Sequence, residues 1–289
     1  SREVRILPDG TRYVIHPSKL ESGGPPKDGI PSIDEPKIVS AREADAWLRG
    51  DELILGVNLF GTPRAYPFQI LVWHELVNDV INGNPVLISY CPLCGTGIAF
   101  DRNVDGSLLS FGVSGKLYNS DLIMYDRKTD SYWMQLSGEA IIGEMAGARL
   151  KMLPADTVPW KEWKALHPDT GVLSKDTGHS RDYGSDPYGD YYKSRSVWFA
   201  LEHEDARLHP KTVIYGIEAK GAYKAYTYDA LIKEKKIKDD VGGVNVLIAM
   251  DDYGIVTVKN IETGEEIPKV RSFWFAWAAT YPNTEVYSP

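Results

Sequence analysis

The two cysteines of the chain, Cys91 and Cys94, are the residues best suited to carry chemistry. They lie three positions apart in the segment Tyr-Cys-Pro-Leu-Cys-Gly, directly after an apolar run at 86–90. Pro92 and Gly95 favour a turn in which both thiols point to one side. Such a pair suits a single metal ion or a dithiol that cycles with a disulfide, and equally a structural disulfide or two inert buried thiols. The residues alone leave these alternatives open.

A metal bound by the two cysteines needs further ligands, because a structural zinc site usually has four Cys or His ligands. His74 is the best candidate, since it lies on the inward face of a predicted helix that leads into the cysteine strand. A core histidine that hydrogen-bonds a backbone carbonyl is an equally good interpretation. Met124 adds a soft thioether, although most methionines only fill the core. Soft sulfur ligands with one imidazole predict copper, with zinc or iron as alternatives.

Two acidic residues downstream, Asp121 and Asp126, are the predicted catalytic residues. Either carboxylate could act as a metal ligand or as a general base. For Asp126, a local ion pair with the adjacent Arg127 is the plainer interpretation. The two acids gain weight as a set, because they lie in a region that occurs only once in the chain.

An internal repeat identifies the region that occurs only once in the chain. A constant offset of 160 residues relates Gly56 to Gly216, Gly61 to Gly221, Tyr66 to Tyr226, and the run 86–88 to 246–248. A second block, which starts at Trp163 in copy one and at Trp277 in copy two, repeats at an offset of 114. The difference between the two offsets predicts an insertion of about 46 residues in copy one.

The second copy keeps the framework residues of the first copy but lacks its candidate ligands. The offset of 160 aligns the candidate ligands with residues of other types: Cys91 with Asp251, Cys94 with Gly254, and His74 with Glu234. The site is therefore a property of copy one, and copy two is a degenerate scaffold.

The predicted fold is α+β and β-rich, with two copies of a duplicated unit, the first carrying the insertion. Proline and glycine predict an extended N-terminal arm over 1–50, followed by copy one at 51–176, a linker at 177–210 and copy two at 211–289. Within copy one we predict a hairpin, a helix over 68–79, and the strand that ends at the cysteines. A further hairpin turn is predicted at Asp105-Gly106.

Composition limits the partners. The 289 residues have a net charge of −8 and no basic run that could follow a phosphate backbone, which argues against nucleic acid. The longest apolar runs are far shorter than the roughly 20 residues that cross a bilayer. A small molecule or an electron-transfer partner is left unidentified. Because the chain begins at Ser1 without an apolar leader, a removed targeting segment is one expectation, and localisation is open.

Four motifs carry a resemblance to a known family: Trp-His-Glu-Leu-Val-Asn-Asp at 73–79, Tyr-Cys-Pro-Leu-Cys-Gly at 90–95, Phe-Gly-Val-Ser-Gly at 111–115, and the segment 118–127. From about residue 23 to the C-terminus the chain resembles a bacterial and archaeal family of unknown function, numbered 3179 (DUF3179). The resemblance implies no activity. It implies that members are often exported, which favours a periplasmic or extracellular location.

Taken together, these features predict a metal-binding protein. Cys91, Cys94 and His74 would hold one copper ion, with zinc or iron as alternatives, in a redox or metal-handling role. A metal-free thiol-disulfide oxidoreductase is the first alternative, and an exported non-enzymatic binding module with a structural disulfide is the second. If the protein is an enzyme, the prediction is a metal- or thiol-dependent oxidoreductase.

Overall fold

Short strands joined by tight turns make up most of the chain. The computed structural model describes residues 2–289. Within them, the helices are α1 Ala41–Ala44, α2 Phe68–His74, α3 Trp160–Leu166, α4 Tyr228–Glu234 and α5 Trp274–Thr280. Two 3₁₀ turns occur at Pro17–Lys19 and Gly189–Lys193. None of these helices is long and apolar enough to cross a membrane.

The strands in the first half of the chain are β1 Arg5–Ile6, β2 Arg12–Tyr13, β3 Glu21–Ser22, β4 Ile38–Ser40, β5 Leu53–Leu59, β6 Thr62–Pro67, β7 Leu76–Ile81, β8 Asn84–Cys91, β9 Thr96–Asp101, β10 Asn103–Val104, β11 Ser107–Leu108, β12 Phe111–Tyr118, β13 Asp121–Asp126, β14 Tyr132–Met134 and β15 Ala140–Ile142. The later strands are β16 Met152–Leu153, β17 Asp156–Pro159, β18 Gly171–Leu173, β19 Val213–Ala219, β20 Ala222–Thr227, β21 Lys236–Val241, β22 Val244–Met250, β23 Val256–Asn260, β24 Lys269–Phe273 and β25 Glu285–Val286. The fold is therefore β-rich with few helices, as predicted.

Within residues 2–289 the strands form six sheets of two to seven strands. Their orders are β1-β2-β15-β14-β13-β12-β3, β10-β11, β16-β9-β8-β7, β17-β5-β6-β18-β4, β24-β19-β20-β25 and β21-β22-β23. Within the predicted N-terminal arm, β1, β2 and β3 lie in the seven-stranded sheet and β4 pairs with β18.

Two segments of the chain have the same arrangement of elements. In both, an antiparallel hairpin (β5-β6 or β19-β20) is flanked by one antiparallel and one parallel strand, and a three-strand meander (β7-β8-β9 or β21-β22-β23) follows the next helix. In both, a tryptophan ring covers a glycine of the first hairpin strand: Trp163 covers Gly56, and Trp277 covers Gly216.

One core joins these segments. Buried side chains around the cysteines, including Leu93, Phe111 and Trp133, belong to the same apolar cluster as Ile214 and the helix α5. Burial of this shared surface is the main stabilising contribution that holds the two segments together.

The helix predicted over 68–79 is too long. Helix α2 ends at His74, Glu75 adopts a left-handed φ of 63°, and the next six residues form β7, which pairs with β8. Apolar and β-branched residues in a short run fit either a helix or a strand, and the pairing with β8 decides for a strand. The hairpin turn at Asp105-Gly106 is confirmed, because Val104 pairs with Ser107 and both turn residues have positive φ.

A candidate metal and thiol site

The first half of the site is the turn between β8 and β9. Cys91 is the last residue of β8 and pairs with Thr96, and the Cys94 amide donates to the Cys91 carbonyl at 3.2 Å. Both cysteines are buried free thiols. The structural disulfide of the second alternative is therefore absent from the structure.

Strand β24 supports this cysteine turn from the second segment. The Phe273 amide donates to the Cys94 carbonyl at 2.8 Å, and Arg271 donates to the Gly95 carbonyl at 3.3 Å. Gly95 has a φ of 60°, and a Cβ there would lie 2.8 Å from the Phe273 ring. The turn thus requires glycine at this position both for its backbone conformation and for the close approach of Phe273.

The second half of the site is the hairpin between β12 and β13. Its two turn residues, Asn119 and Ser120, both have positive φ, and Tyr118 pairs with Asp121 across the turn. The Ser120 carbonyl accepts from the Cys94 thiol at 3.4 Å and from the Cys91 thiol at 3.9 Å. This hairpin therefore brings Asp121 against the two sulfur atoms.

The result is a compact group of three donors. Cys91 Sγ, Cys94 Sγ and a carboxylate oxygen of Asp121 all lie within 4.8 Å of one another, and all three residues are buried. The distance from Cys94 Sγ to Asp121 Oδ1 is 3.6 Å, and the Leu136 amide donates to Asp121 Oδ2 at 3.0 Å. This Cys–Cys–Asp group can hold a metal ion.

Burial disfavours the ionised forms of these groups in the absence of a cation. Desolvation raises the pKa of both thiols, and it raises the pKa of Asp121 to about 7. A nearby carboxyl, Glu75, is also buried, and desolvation together with the charge of Asp121 raises its pKa to about 8. Within residues 2–289, no Lys, Arg or His forms an ion pair with either acid. A bound cation would supply the missing positive charge.

The structure does not bring His74 to the Cys–Cys–Asp group. Its Nδ1 lies 2.7 Å from the Pro31 carbonyl and its Nε2 lies 2.5 Å from the Tyr183 hydroxyl, so both ring nitrogens have protein partners. Burial lowers the pKa of His74 to about 4, which keeps the ring neutral. Because α2 ends at His74, the side chain points to the 177–210 segment instead of the cysteine strand.

Two other predicted site residues also lie outside the group. Met124 is a fully buried core residue of β13, opposite Trp133 on the neighbouring strand. The Asp126 carboxylate accepts from the amides of Lys128 and Thr129, from the Thr129 hydroxyl, and from the Trp133 indole at 2.9 Å. These hydrogen bonds hold the turn between β13 and β14, and no ion pair forms between Asp126 and Arg127, whose guanidinium contacts Asp34 instead.

Glu75 is the site residue that the sequence prediction missed. The repeat contains the signal, because the offset of 160 aligns Glu75 with Lys235, a reversal of charge next to the His74 position. The prediction placed residue 75 inside a helix, where an acid commonly faces solvent. In the structure the helix has already ended, and the side chain is buried.

The 177–210 segment covers the site, and the buried Lys211 ammonium holds it. The Tyr191 hydroxyl donates to the Leu93 carbonyl, inside the cysteine turn, at 2.8 Å. The Lys211 ammonium donates to three carbonyls, those of Tyr191, Ser194 and Ser196, at 2.8–2.9 Å. Lys211 thus holds the segment against the core.

We expect Lys211→Met to lower the free energy of unfolding by about 3 kcal/mol, because three buried carbonyls lose a charged donor. Urea unfolding measures the change, and limited proteolysis would show faster cleavage within 177–210. Lys193→Met is the control, since Lys193 is exposed on the same segment. Equal stability of both variants would contradict the role given to Lys211.

The fold and the site together define a β-rich protein with a buried Cys–Cys–Asp group, assembled from a strand-end turn and a hairpin. A family model described as a protein of unknown function (DUF3179) matches residues 27–284, nearly the whole chain, and the chain belongs to this family. The resemblance noted from the four motifs is thereby confirmed. No curated protein and no solved structure matches the chain.

Proposed function

We propose that Cys91, Cys94 and Asp121 bind one transition-metal ion and that its remaining coordination position serves substrate or water. The observation that carries this proposal is the convergence of three buried acidic donors that have no cationic partner among residues 2–289. Burying such groups costs free energy unless a counter-charge is present, so their grouping favours a bound cation.

The spacing of the donors supports the same proposal. Two ligands of a tetrahedral zinc ion, a sulfur at about 2.3 Å and an oxygen at about 2.1 Å, lie about 3.6 Å apart. Cys94 Sγ and Asp121 Oδ1 lie 3.6 Å apart. These two side chains therefore need little movement to bind the ion, and Cys91 Sγ lies within 4.8 Å of both donor atoms.

The donor set favours zinc or iron ahead of copper. Copper was predicted from sulfur ligands with the His74 imidazole, and the group contains a carboxylate in place of the imidazole. Thiolates bind Zn, Cu(I) and Fe, whereas a carboxylate is a harder ligand that suits Cu(I) poorly. Three protein ligands with an open position are typical of catalytic zinc sites, so we propose a metal-dependent enzyme.

A metal-free thiol-disulfide oxidoreductase has less support. Its attacking cysteine must be a thiolate that a partner can reach. Cys91 and Cys94 are at most 1% exposed, and burial raises the pKa of both thiols. Both features make the thiols poor nucleophiles.

The decisive experiment is elemental analysis of protein purified without chelators. We expect about one metal ion per chain, and a loss of most of it in Cys91→Ser, Cys94→Ser and Asp121→Asn, because each change removes one of three ligands. Asp251→Asn is the matched control, since Asp251 occupies the Cys91 position in the second segment. His74→Gln should keep its metal.

Metal content that is unchanged in all three ligand variants would overturn the proposal. A metal-free wild type that shows a reversible two-electron couple in graded redox buffers would instead support the thiol alternative.

We also infer that the two similar segments arose by duplication and that the site evolved in only one of them. The pairings Leu55 with Tyr66 and Tyr215 with Tyr226 occupy equivalent registers, which supports this inference. Asp121 comes from β12–β15, strands that lie between β9 and β17 and have no counterpart between β23 and β24. The first copy would thus supply the cysteines, its insertion the carboxylate, and the second copy the supporting strand β24.

A further inference from the structure

A cavity of about 390 Å³ lies beside the Cys–Cys–Asp group. Leu93, from the cysteine turn, and Leu122, the neighbour of Asp121, both line it. Four aromatic side chains also line it: Trp73, Tyr188, Trp198 and Phe199. The rings of Tyr188 and Trp198 stack with their centroids 5.7 Å apart. The volume is typical of small-molecule sites.

One buried carboxyl, that of Glu75, also lines this cavity. Glu75 is only 5% exposed, and its carboxyl has neither a hydrogen-bond donor nor a cationic partner within residues 2–289. An unpaired buried carboxyl is costly, and the fold does not compensate for it elsewhere. Its presence calls for a partner that the cavity would admit.

The second segment shows that the backbone does not require this carboxyl. Lys235, at the equivalent position, has a φ of 62°, against 63° for Glu75. The Lys235 carbonyl accepts from the Met250 amide at 2.9 Å, and the Glu75 carbonyl accepts from the Tyr90 amide at 2.7 Å. The side chain of Lys235 is exposed, whereas that of Glu75 is buried. The turn is therefore shared, and only copy one places an acid in a cavity.

We propose that this cavity binds an organic ammonium ion, with Glu75 as the counter-ion and the aromatic rings as the surrounding wall. A desolvated carboxylate pairs best with a cation, and aromatic faces attract ammonium groups through their quadrupoles. Lys116 and Arg181 also border the cavity, but Lys116 is exposed and Arg181 is half-buried, so water screens their charges.

This inference goes beyond the proposed function, because it assigns a ligand class to the cavity beside the proposed metal centre. Binding itself does not depend on the metal. The cavity is lined by Glu75 and the aromatic residues and by none of the three proposed ligands.

The test uses the full-length metal-free protein at about pH 8.5, above the Glu75 pKa of about 8 and below that of a simple primary amine. The three probes are of similar size: benzylamine, benzyl alcohol and benzoate. Isothermal titration calorimetry should show that benzylamine binds at least about tenfold tighter than benzyl alcohol, the gain expected from a desolvated cation in an aromatic site. Benzoate should bind most weakly. Glu75→Gln, which keeps the shape of the side chain, should abolish the preference for benzylamine and keep the weak binding of benzyl alcohol.

Asp186→Asn is the control, because Asp186 is an exposed acid in the segment that covers the site. The inference is overturned if benzylamine does not bind, if it binds no better than benzyl alcohol, or if Glu75→Gln binds it like the wild type. Thermal unfolding of Glu75→Gln checks that the variant is folded, and Trp198→Leu provides a second variant that should weaken benzylamine binding.

The two proposals fail separately. Benzylamine selectivity that persists in Cys91→Ser, together with unchanged metal content in the ligand variants, would support the amine cavity and reject the metal centre. Normal metal binding in Glu75→Gln, with no amine selectivity in the wild type, would support the metal centre and reject the amine cavity. Loss of metal in Glu75→Gln would make Glu75 a metal ligand and overturn its role as an ammonium counter-ion.

Discussion

The metal-free protein is expected to lose stability as the pH rises from about 6.5 to about 8. Over the same range, the stability that bound metal adds to the protein is expected to increase. In the folded, metal-free state the pKa of Glu75 is about 8 and that of Asp121 is about 7, against ordinary values of 4.5 and 3.8. The folded state therefore holds more protons than the unfolded state across this window. Stability must fall as those protons leave.

The size and sign of the effect follow from linkage. One extra proton in the folded state lowers the free energy of unfolding by about 1.4 kcal/mol per pH unit. His74 acts in the opposite direction, because its folded pKa of about 4 lies below the ordinary 6.5. Its contribution is lost as the pH falls below 6.5. Burial lowers the pKa of Lys211 from 10.5 to about 8, so Lys211 also opposes the trend near the upper end of the window. The difference between the wild type and a variant without the two acids therefore isolates their contribution.

Metal reverses the trend because its ligands bind in their deprotonated forms. A free ion at about a thousand times its dissociation constant stabilises the folded state by about 4 kcal/mol, and the affinity rises with pH. Urea unfolding at the two ends of the pH window, with chelator and with added zinc, measures both curves. Asp121→Asn combined with Glu75→Gln should flatten the metal-free curve. A metal-free protein that is equally stable at both ends would contradict the buried, unpaired state of these acids.

Gly56→Ala and Gly216→Ala are each expected to lower the free energy of unfolding by about 3 kcal/mol, the upper range for overpacking in a core. The added Cβ would lie 2.4 Å from the Trp163 ring at position 56 and 2.5 Å from the Trp277 ring at position 216. Both distances are far inside van der Waals contact, so the strand or the ring must move.

Neither ring can withdraw easily, because a hydrogen bond holds each indole. Trp163 donates to the Thr170 hydroxyl at 3.0 Å, and Trp277 donates to the Thr284 hydroxyl at 2.8 Å. Chemical denaturation of both variants tests the expectation. Gly50→Ala is the control, since its Cβ would meet only the flexible Lys161 side chain at 3.3 Å. Similar losses in both variants would show that the two segments depend on the same packing, whereas a harmless change at either position would contradict it.

Local patterns in the chain were sufficient for the framework. Turn residues marked the hairpin at Asp105-Gly106, and short apolar runs between turn signals predicted a β-rich fold. The spacing of Cys91 and Cys94 predicted two thiols on one side of a turn. These features depend on residues within a few positions of one another, where backbone preference and side-chain period act directly.

The composition of the site was decided by tertiary structure. Asp121 lies 27 residues after Cys94 and meets it only because the β12–β13 hairpin packs against the cysteine turn. His74 and Glu75 are neighbours in sequence, yet the end of helix α2 sends the imidazole to Pro31 and Tyr183 and leaves the carboxyl in the cavity. The pair Cys91 and Cys94 was thus evident from the sequence alone. Its carboxylate partner and its cavity depend on long-range packing, which local spacing does not specify.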